Sequence, residues 1–247
     1  MVDKNMNSSG NSAYSDPAQE NSIVQGRLEI SEKDQPDAAG KIPMANSYMR
    51  WTLDAAAEVL GTASLESILV RNNLRRLIEN YPPATPTLSS DLTLADHANV
   101  CTEIVQTLGY AGKPEALRIG RLGAKPALDN QGKFFNFAAR KAAKLLTSSL
   151  QIKTVLDSMQ KDVKSIYAGS GFSTNITVED RGDKWAYIDG SCAFCAGKVS
   201  NDHICWIWNG TLEESLSWLT EKEFKVEQVE CRAAGDSTCT WEIDKSV

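Results

Sequence analysis

The chain has 247 residues, 42% hydrophobic and 23% charged, with a formal net charge of −6. That length and apolar content suffice for one domain of about 200 residues plus a tail, and exclude a wholly disordered chain, a collagen and a coiled coil. No apolar run approaches the roughly 18 residues that cross a bilayer, and no basic start followed by an apolar stretch opens the chain, so a cytoplasmic, non-transmembrane protein is expected.

Residues 1–45 are rich in Asn, Ser, Asp, Gln and Gly, show no sustained period, and read as a polar, disordered tail. Ile23, Val24, Leu28 and Ile30 are its apolar exception and could dock on the domain or on a partner. From Ser47 the pattern turns helical: Leu53, Ala56, Ala57 and Leu60 keep helical spacing up to Gly61. A second helix is predicted over 64–80, with Leu65, Ile68, Leu69, Leu77 and Ile78 on one face and Tyr81-Pro82-Pro83 as its stop. Thr93 and Asp96 form a capping-box-like pair that starts a third helix, closed by Gly109. A short helix is predicted after Pro114, and helical spacing returns at 134–146 and at 152–167.

After Gly169-Ser170-Gly171 the pattern changes to strands. Residues 175–179 and 184–189 flank Asp180-Arg181-Gly182-Asp183, a hairpin signal. Residues 203–208 read as a strand and 211–219 as a short helix. Residues 224–231 and 239–243 read as a closing hairpin, with Cys239, Trp241 and Ile243 on the inner face and a bulge between Val226 and Val229. The predicted class is α+β: N-terminal helices packed on a C-terminal antiparallel sheet. Residues 46–247 form one domain, cysteine-rich over 171–247.

Charge is laid out unevenly. Residues 110–165 carry 11 basic and 4 acidic groups, and residues 166–247 carry 7 and 14. Solvated helix faces account for this most simply. The acidic total and the lack of a basic–aromatic recognition motif argue against a nucleic-acid partner.

The cysteines carry the chemistry. Five of the six fall late in the chain, at Cys192, Cys195, Cys205, Cys231 and Cys239, with spacing C-x2-C-x9-C-x25-C-x7-C. In a reducing compartment such clustering points to a metal rather than to disulfides. Cys192-Ala193-Phe194-Cys195 is a knuckle that lets two thiolates reach one ion, and the closing hairpin brings Cys231 and Cys239 together. Four thiolates suit zinc, and they equally suit an iron–sulfur cluster. A redox dithiol at Cys192/Cys195 and plain burial as small hydrophobes are the competing uses. His203 shares a strand face with Cys205 as a spare ligand or partner, and Glu227 and Glu230 stand near Cys231. Cys101, alone on a helix, reads as core.

The stretch from Val226 to Ile243, with its Glu230-Cys231, Ala234-Gly235-Asp236 turn and Cys239, resembles the end of a 4-vinyl reductase domain. Cys205 followed by the 210–219 segment is similar as well. The resemblance covers roughly residues 46–247 and implies a ligand-binding fold of the nitric-oxide-signalling and Golgi-transport type, with helices and sheet enclosing an apolar pocket. Relatives bind aromatic hydrocarbons, phenols or tetrapyrrole pigments. By position, the zinc ligands of the sensor relatives imply Cys205, Cys231 and Cys239 here. Their glutamate position is Gln228, so Cys192 or Cys195 is needed to complete four ligands.

The reductase name finds no dinucleotide loop, P-loop or recognised nucleophile in this chain. The expectation is therefore a non-catalytic binding or assembly protein. It would hold a Cys-ligated metal, zinc or iron–sulfur, and an apolar pocket for a tetrapyrrole or other hydrophobic ligand. The resemblance points to biogenesis of photosynthetic complexes. Small hydrophobic ligands or pigments, a photosynthetic protein complex and a homodimer are the partners it allows, with a place beside a photosynthetic membrane. An oxidoreductase acting on a tetrapyrrole vinyl group with an external electron donor is the alternative.

Overall fold

The computed structural model describes residues 27–34, 37–131 and 145–246. Its helical half follows the local signals. Helix α1 (Asn46–Leu60) stops where Gly61 takes φ +80°, a conformation that strains any residue with a Cβ. The single helix expected over 64–80 is broken into α2 (Thr62–Arg71) and α3 (Arg76–Glu79). Asn73 sits at φ +57°, and the Asn72 amide bonds back to the Ile68 carbonyl at 2.8 Å. Asparagine tolerates the left-handed region, so two consecutive asparagines override an apolar period that runs on through them.

Helix α4 (Leu94–Leu108) begins with the expected capping box. Asp96 N–H donates to Thr93 Oγ1 at 3.2 Å, and Thr93 N–H donates to the Asp96 carboxylate at 2.8 Å. Helix α5 (Lys113–Gln131) is longer than the short helix expected and carries Pro126 inside it. Helix α6 is Ser148–Ile166. The helical spacing at 134–146 falls mostly outside the described residues.

The strand half forms a four-stranded antiparallel sheet in the order β4 (Ile176–Asp180), β5 (Lys184–Asp189), β8 (Cys239–Asp244), β7 (Val226–Glu230). Tyr187 pairs with Trp241 across β5 and β8, and the expected bulge in β7 falls between Gln228 and Glu230. Trp185, Tyr187, Trp241 and Ile243 are buried in the core between sheet and helices. The strand expected at 203–208 does not form. Instead Trp206 starts a long buried helix, α7 (Trp206–Thr220). A run of apolar residues buried on all sides has no period, so it cannot tell a strand from a core helix.

Of the tail expected over 1–45, the described residues 27–34 and 37–45 are ordered parts of the fold. Within it β1 (Ile30–Glu32) pairs with β6 (Lys198–Ser200), and β2 (Pro43–Ala45) pairs with β3 (Leu88–Thr93). Leu28 is buried and Ile30 packs on the core, as their apolar character suggested, while Ile23 and Val24 lie outside the described residues. Strand β6 sits within the loop that carries the cysteine knuckle, so β1 braces that loop.

Helices α5 and α7 cross without room for side chains. A Cβ on Gly120 would lie 1.9 Å from the Ile207 carbonyl oxygen, and one on Gly210 would lie 1.9 Å from that of Leu117. The two glycines let the backbones touch, which fixes the start of α7 and with it Cys205. Gly120→Ala and Gly210→Ala should each lower stability by about 1–3 kcal/mol, the range for overpacking a tight core. Denaturant unfolding of both variants checks this, and an unchanged midpoint would contradict the close crossing.

Candidate metal centre and adjoining cavity

Three pieces of chain bring four cysteines together. The turn after β5 supplies Cys192 and Cys195, Cys205 caps the N-terminal end of α7, and Cys239 opens β8. All four are buried, and their sulfurs all lie within 4.8 Å of one another. Cys195 and Cys239 are 3.4 Å apart, Cys192 and Cys205 3.7 Å, and Cys205 and Cys239 4.0 Å. Zinc–thiolate bonds of ~2.3 Å at tetrahedral angles place sulfurs about 3.8 Å apart. The four are thus spaced to grip one ion. A four-iron cluster gives each thiolate its own iron and spreads the sulfurs wider.

Cys231, the fifth cysteine of the sequence pattern, is buried beside this group but is not one of the four. Its sulfur is 4.0 Å from that of Cys205. Its backbone holds the Ala233–Gly235 turn instead: its N–H donates to Asp236 at 2.7 Å, and its carbonyl accepts from Ala234 and Asp236. His203 is a partner and not part of the cluster, its Nδ1 donating to the Gln228 carbonyl at 2.9 Å. The Glu230 carboxylate accepts from Thr238 and Thr240, and Glu227 is exposed near Lys184. Cys101 is buried on α4 outside the cluster, next to His97.

The surroundings split the thiols. For Cys195 the hydrogen bond with Cys192 acts upward, but those with Cys205, Cys231 and Cys239 outweigh it and hold the group at about 6. Burial pushes Cys205 and Cys239 up. One backbone donor also faces the sulfurs, the Arg232 N–H at 3.4 Å from Cys239 Sγ. The Arg232 guanidinium then reaches across to Asp37 at 2.7 Å, with both side chains largely buried. Burial acts to raise the Asp37 carboxyl, but Arg232 and the N–H groups of Ala39 and Gly197 hold it below the usual range. Asp37 lies in the segment read as a tail, so nothing in the sequence pointed to this pairing.

Beside the cysteines lies a cavity of about 150 Å³, walled by all the major helices except α2 and by β4 and β5. Tyr48 and Trp51 come from α1, His97 from α4, Gly123 from α5, Met159 from α6, and Ile207 and Trp208 from α7. The knuckle serves both places: Cys192 and Cys195 face the sulfur cluster, while Asp189, Ser191, Ala193 and Phe194 line the cavity. His97 joins them. Its Nδ1 faces the Ala193 carbonyl at 3.5 Å, its Nε2 lies 3.1 Å from Thr52 Oγ1, and Phe194 meets its ring edge-on at 4.9 Å. Burial lowers the His97 pKa to about 4, so the ring is neutral at pH 7. Burial raises Asp189 to about 6, against two hydrogen bonds from Ser191. These residues are spread over the whole chain, so no local motif marks them.

Residues 190–245 match the 4-vinyl reductase domain family. The resemblance read from the closing hairpin is therefore sound for the cysteine-bearing part. No curated protein matches the chain. Among solved structures the unliganded Fe(II) H-NOX protein from K. algicida superimposes with a TM-score of 0.53 at 10% identity, over 81% of this chain and 96% of its own. A point mutant of T. Tengcongensis H-NOX gives 0.53 at 11%, over 81% and 95%, and S. oneidensis H-NOX in its Fe(II)NO state gives 0.51 at 11%, over 81% and 98%. At these identities the likeness is one of fold. It is the arrangement expected from the sequence, with helices before an antiparallel sheet. Among the described residues no helix is long and apolar enough to cross a membrane.

A group with a lowered basic pKa stabilises the fold in its neutral form. His97 contributes stability above its unfolded value near 6.5, and this is lost as pH falls towards 4. NMR titration of the His97 ring should give a midpoint near 4; one near 6.5 would show the ring to be solvated.

Proposed function

We propose that this chain is a non-catalytic binding protein, in which four thiolates clamp one zinc ion and the cavity beside them takes a small apolar ligand. The observation that carries the reading is the sulfur group itself: Cys192, Cys195, Cys205 and Cys239, all buried and mutually within 4.8 Å. Four protein ligands with no access for water or substrate is the pattern of a structural zinc site; a catalytic one keeps an open position. Such an ion ties the β5–β6 loop, α7 and β8 into one unit and supplies folding energy.

The 4-vinyl reductase domain match and the H-NOX-like fold support ligand binding at the cavity. Its volume, about 150 Å³, is the size that holds one benzene-like ring. Both nitrogens of His97 already have partners in Thr52 and Ala193, so the ring is held within the wall. A compact aromatic molecule suits the enclosed part of this space. The narrower expectation, a pigment and a part in building photosynthetic complexes, draws its support from the family resemblance alone.

Elemental analysis of the anaerobically purified chain should give one zinc and a colourless protein; about four irons and broad absorption near 400 nm would overturn the zinc assignment. Cys195→Ser and Cys239→Ser should release the metal to a chelator at least about tenfold faster and lower Tm strongly, as removal of a folding ligand does. Cys231→Ser should keep its zinc, and loss of metal in that variant would place Cys231 among the ligands. A divinyl tetrapyrrole offered with an electron donor should be returned unreduced, and turnover would restore the oxidoreductase reading.

A further inference from the structure

One carboxylate outside the sulfur cluster ties two of its three chain pieces together. Asp37 Oδ2 accepts from the Gly197 N–H at 3.2 Å and from the Arg232 guanidinium at 2.7 Å, and Oδ1 accepts from the Ala39 N–H at 3.0 Å. Gly197 lies two residues after Cys195, on the piece that carries Cys192 and Cys195. Arg232 lies on the closing hairpin, and its own N–H faces Cys239 Sγ at 3.4 Å. The Asp37 and Arg232 side chains are 7% and 13% exposed, so their charge-assisted hydrogen bond is largely shielded from water, where such bonds are strongest.

The rest of the N-terminal segment grips the same loop. The Lys33 N–H donates to the Gly197 carbonyl at 2.8 Å, so Gly197 is held at both its N–H and its C=O. Ile30, Ser31 and Glu32 pair with Ser200, Val199 and Lys198. The Asn201 amide donates to the Arg27 carbonyl at 2.9 Å and accepts from the Glu29 N–H at 3.0 Å. None of these residues is one of the four cysteines, and none lines the cavity.

An ion held by four thiolates leaves only when the sulfurs part, and that takes a local opening of the chain that carries them. A cross-link beside the ligands makes that opening costlier without touching the ion. We propose that Asp37 is a positioning residue of the metal centre: it latches the knuckle to the closing hairpin and thereby sets how fast the ion is released. This rests on the metal reading above and adds a control on exchange, supplied by a residue far from the sulfurs in sequence.

Metal exchange of the full chain tests it. Zinc loss to excess EDTA, followed by elemental analysis of the desalted protein, should be at least about tenfold faster in Asp37→Asn and in Arg232→Gln than in the wild type, as removal of a partner outside the ligand shell does. Arg232→Gln leaves the backbone N–H at Cys239 in place. The double variant should be no faster than the quicker single one, since both break the same latch. Arg232→Lys keeps the charge and loses the planar fork, so its rate should fall between wild type and Arg232→Gln; it decides if the other variants do not fold. Leu65→Ala is the control for plain destabilisation. It lies in α2, which packs mainly on α1, α3 and α4, and it should lower Tm while leaving zinc loss near the wild-type rate. Unchanged loss in the Asp37 and Arg232 variants, multiplied effects in the double variant, or equal acceleration by Leu65→Ala overturns the latch. If the wild-type chain purifies without metal, the metal reading falls and the latch is judged by thiol access. Iodoacetamide should then alkylate Cys195 at least about tenfold faster in Asp37→Asn than in the wild type, as an easier local opening demands, and equal rates overturn the latch as well.

Discussion

The structure hangs on the meeting of four sulfurs from three distant pieces of chain. Cys192 and Cys195 arrive from a loop, Cys205 from the head of a helix and Cys239 from the start of a strand. The last two are 34 residues apart in sequence, and neither would hold its place by local preference alone. The C-terminal half is short on regular structure between β5 and α7, where β6 spans three residues. Its Cys192, Cys195, Ala196 and Ile204 are nonetheless buried in the core, where the sulfurs meet. The Arg232–Asp37 pair closes the far side, tying the segment ahead of the first helix to the same corner.

How far the sequence reached can be judged residue by residue. The capping box at Thr93 and Asp96, the stop at Gly61 and the closing hairpin with its bulge were legible because each depends on neighbours in sequence. The break at Asn72-Asn73 was not, since the apolar period continues across it and only the backbone angle reveals the turn. The α7 start at Trp206 was misread as a strand because full burial erases periodicity. The sulfur cluster was readable as a cluster, but not as a set of four. Cys231 matches the family spacing, and only the structure shows its sulfur beside the four, 4.0 Å from that of Cys205, while its backbone holds a turn.

The cavity was implied by family resemblance and by no residue pattern. Its wall draws on helices from both ends of the chain and on two strands. Such a site exists only after folding. The fold shared with H-NOX proteins at 10–11% identity makes the same point at larger scale. Helix-on-sheet layering survives where the individual side chains have changed, and the chemistry of the hollow then depends on each chain's own lining.

The knuckle joins the two compartments. Within the seven residues from Asp189 to Cys195, side chains serving the sulfur cluster and side chains serving the hollow are interleaved on a single strip of backbone. His97 is hydrogen-bonded near its middle, at Ala193. The peptide units that wall the hollow here are the same ones that aim two of the sulfurs. Were an ion held at the sulfurs and a ligand in the hollow, any effect of one on the binding of the other would be mutual. The two compartments are thus joined through one short piece of backbone, with no domain between them.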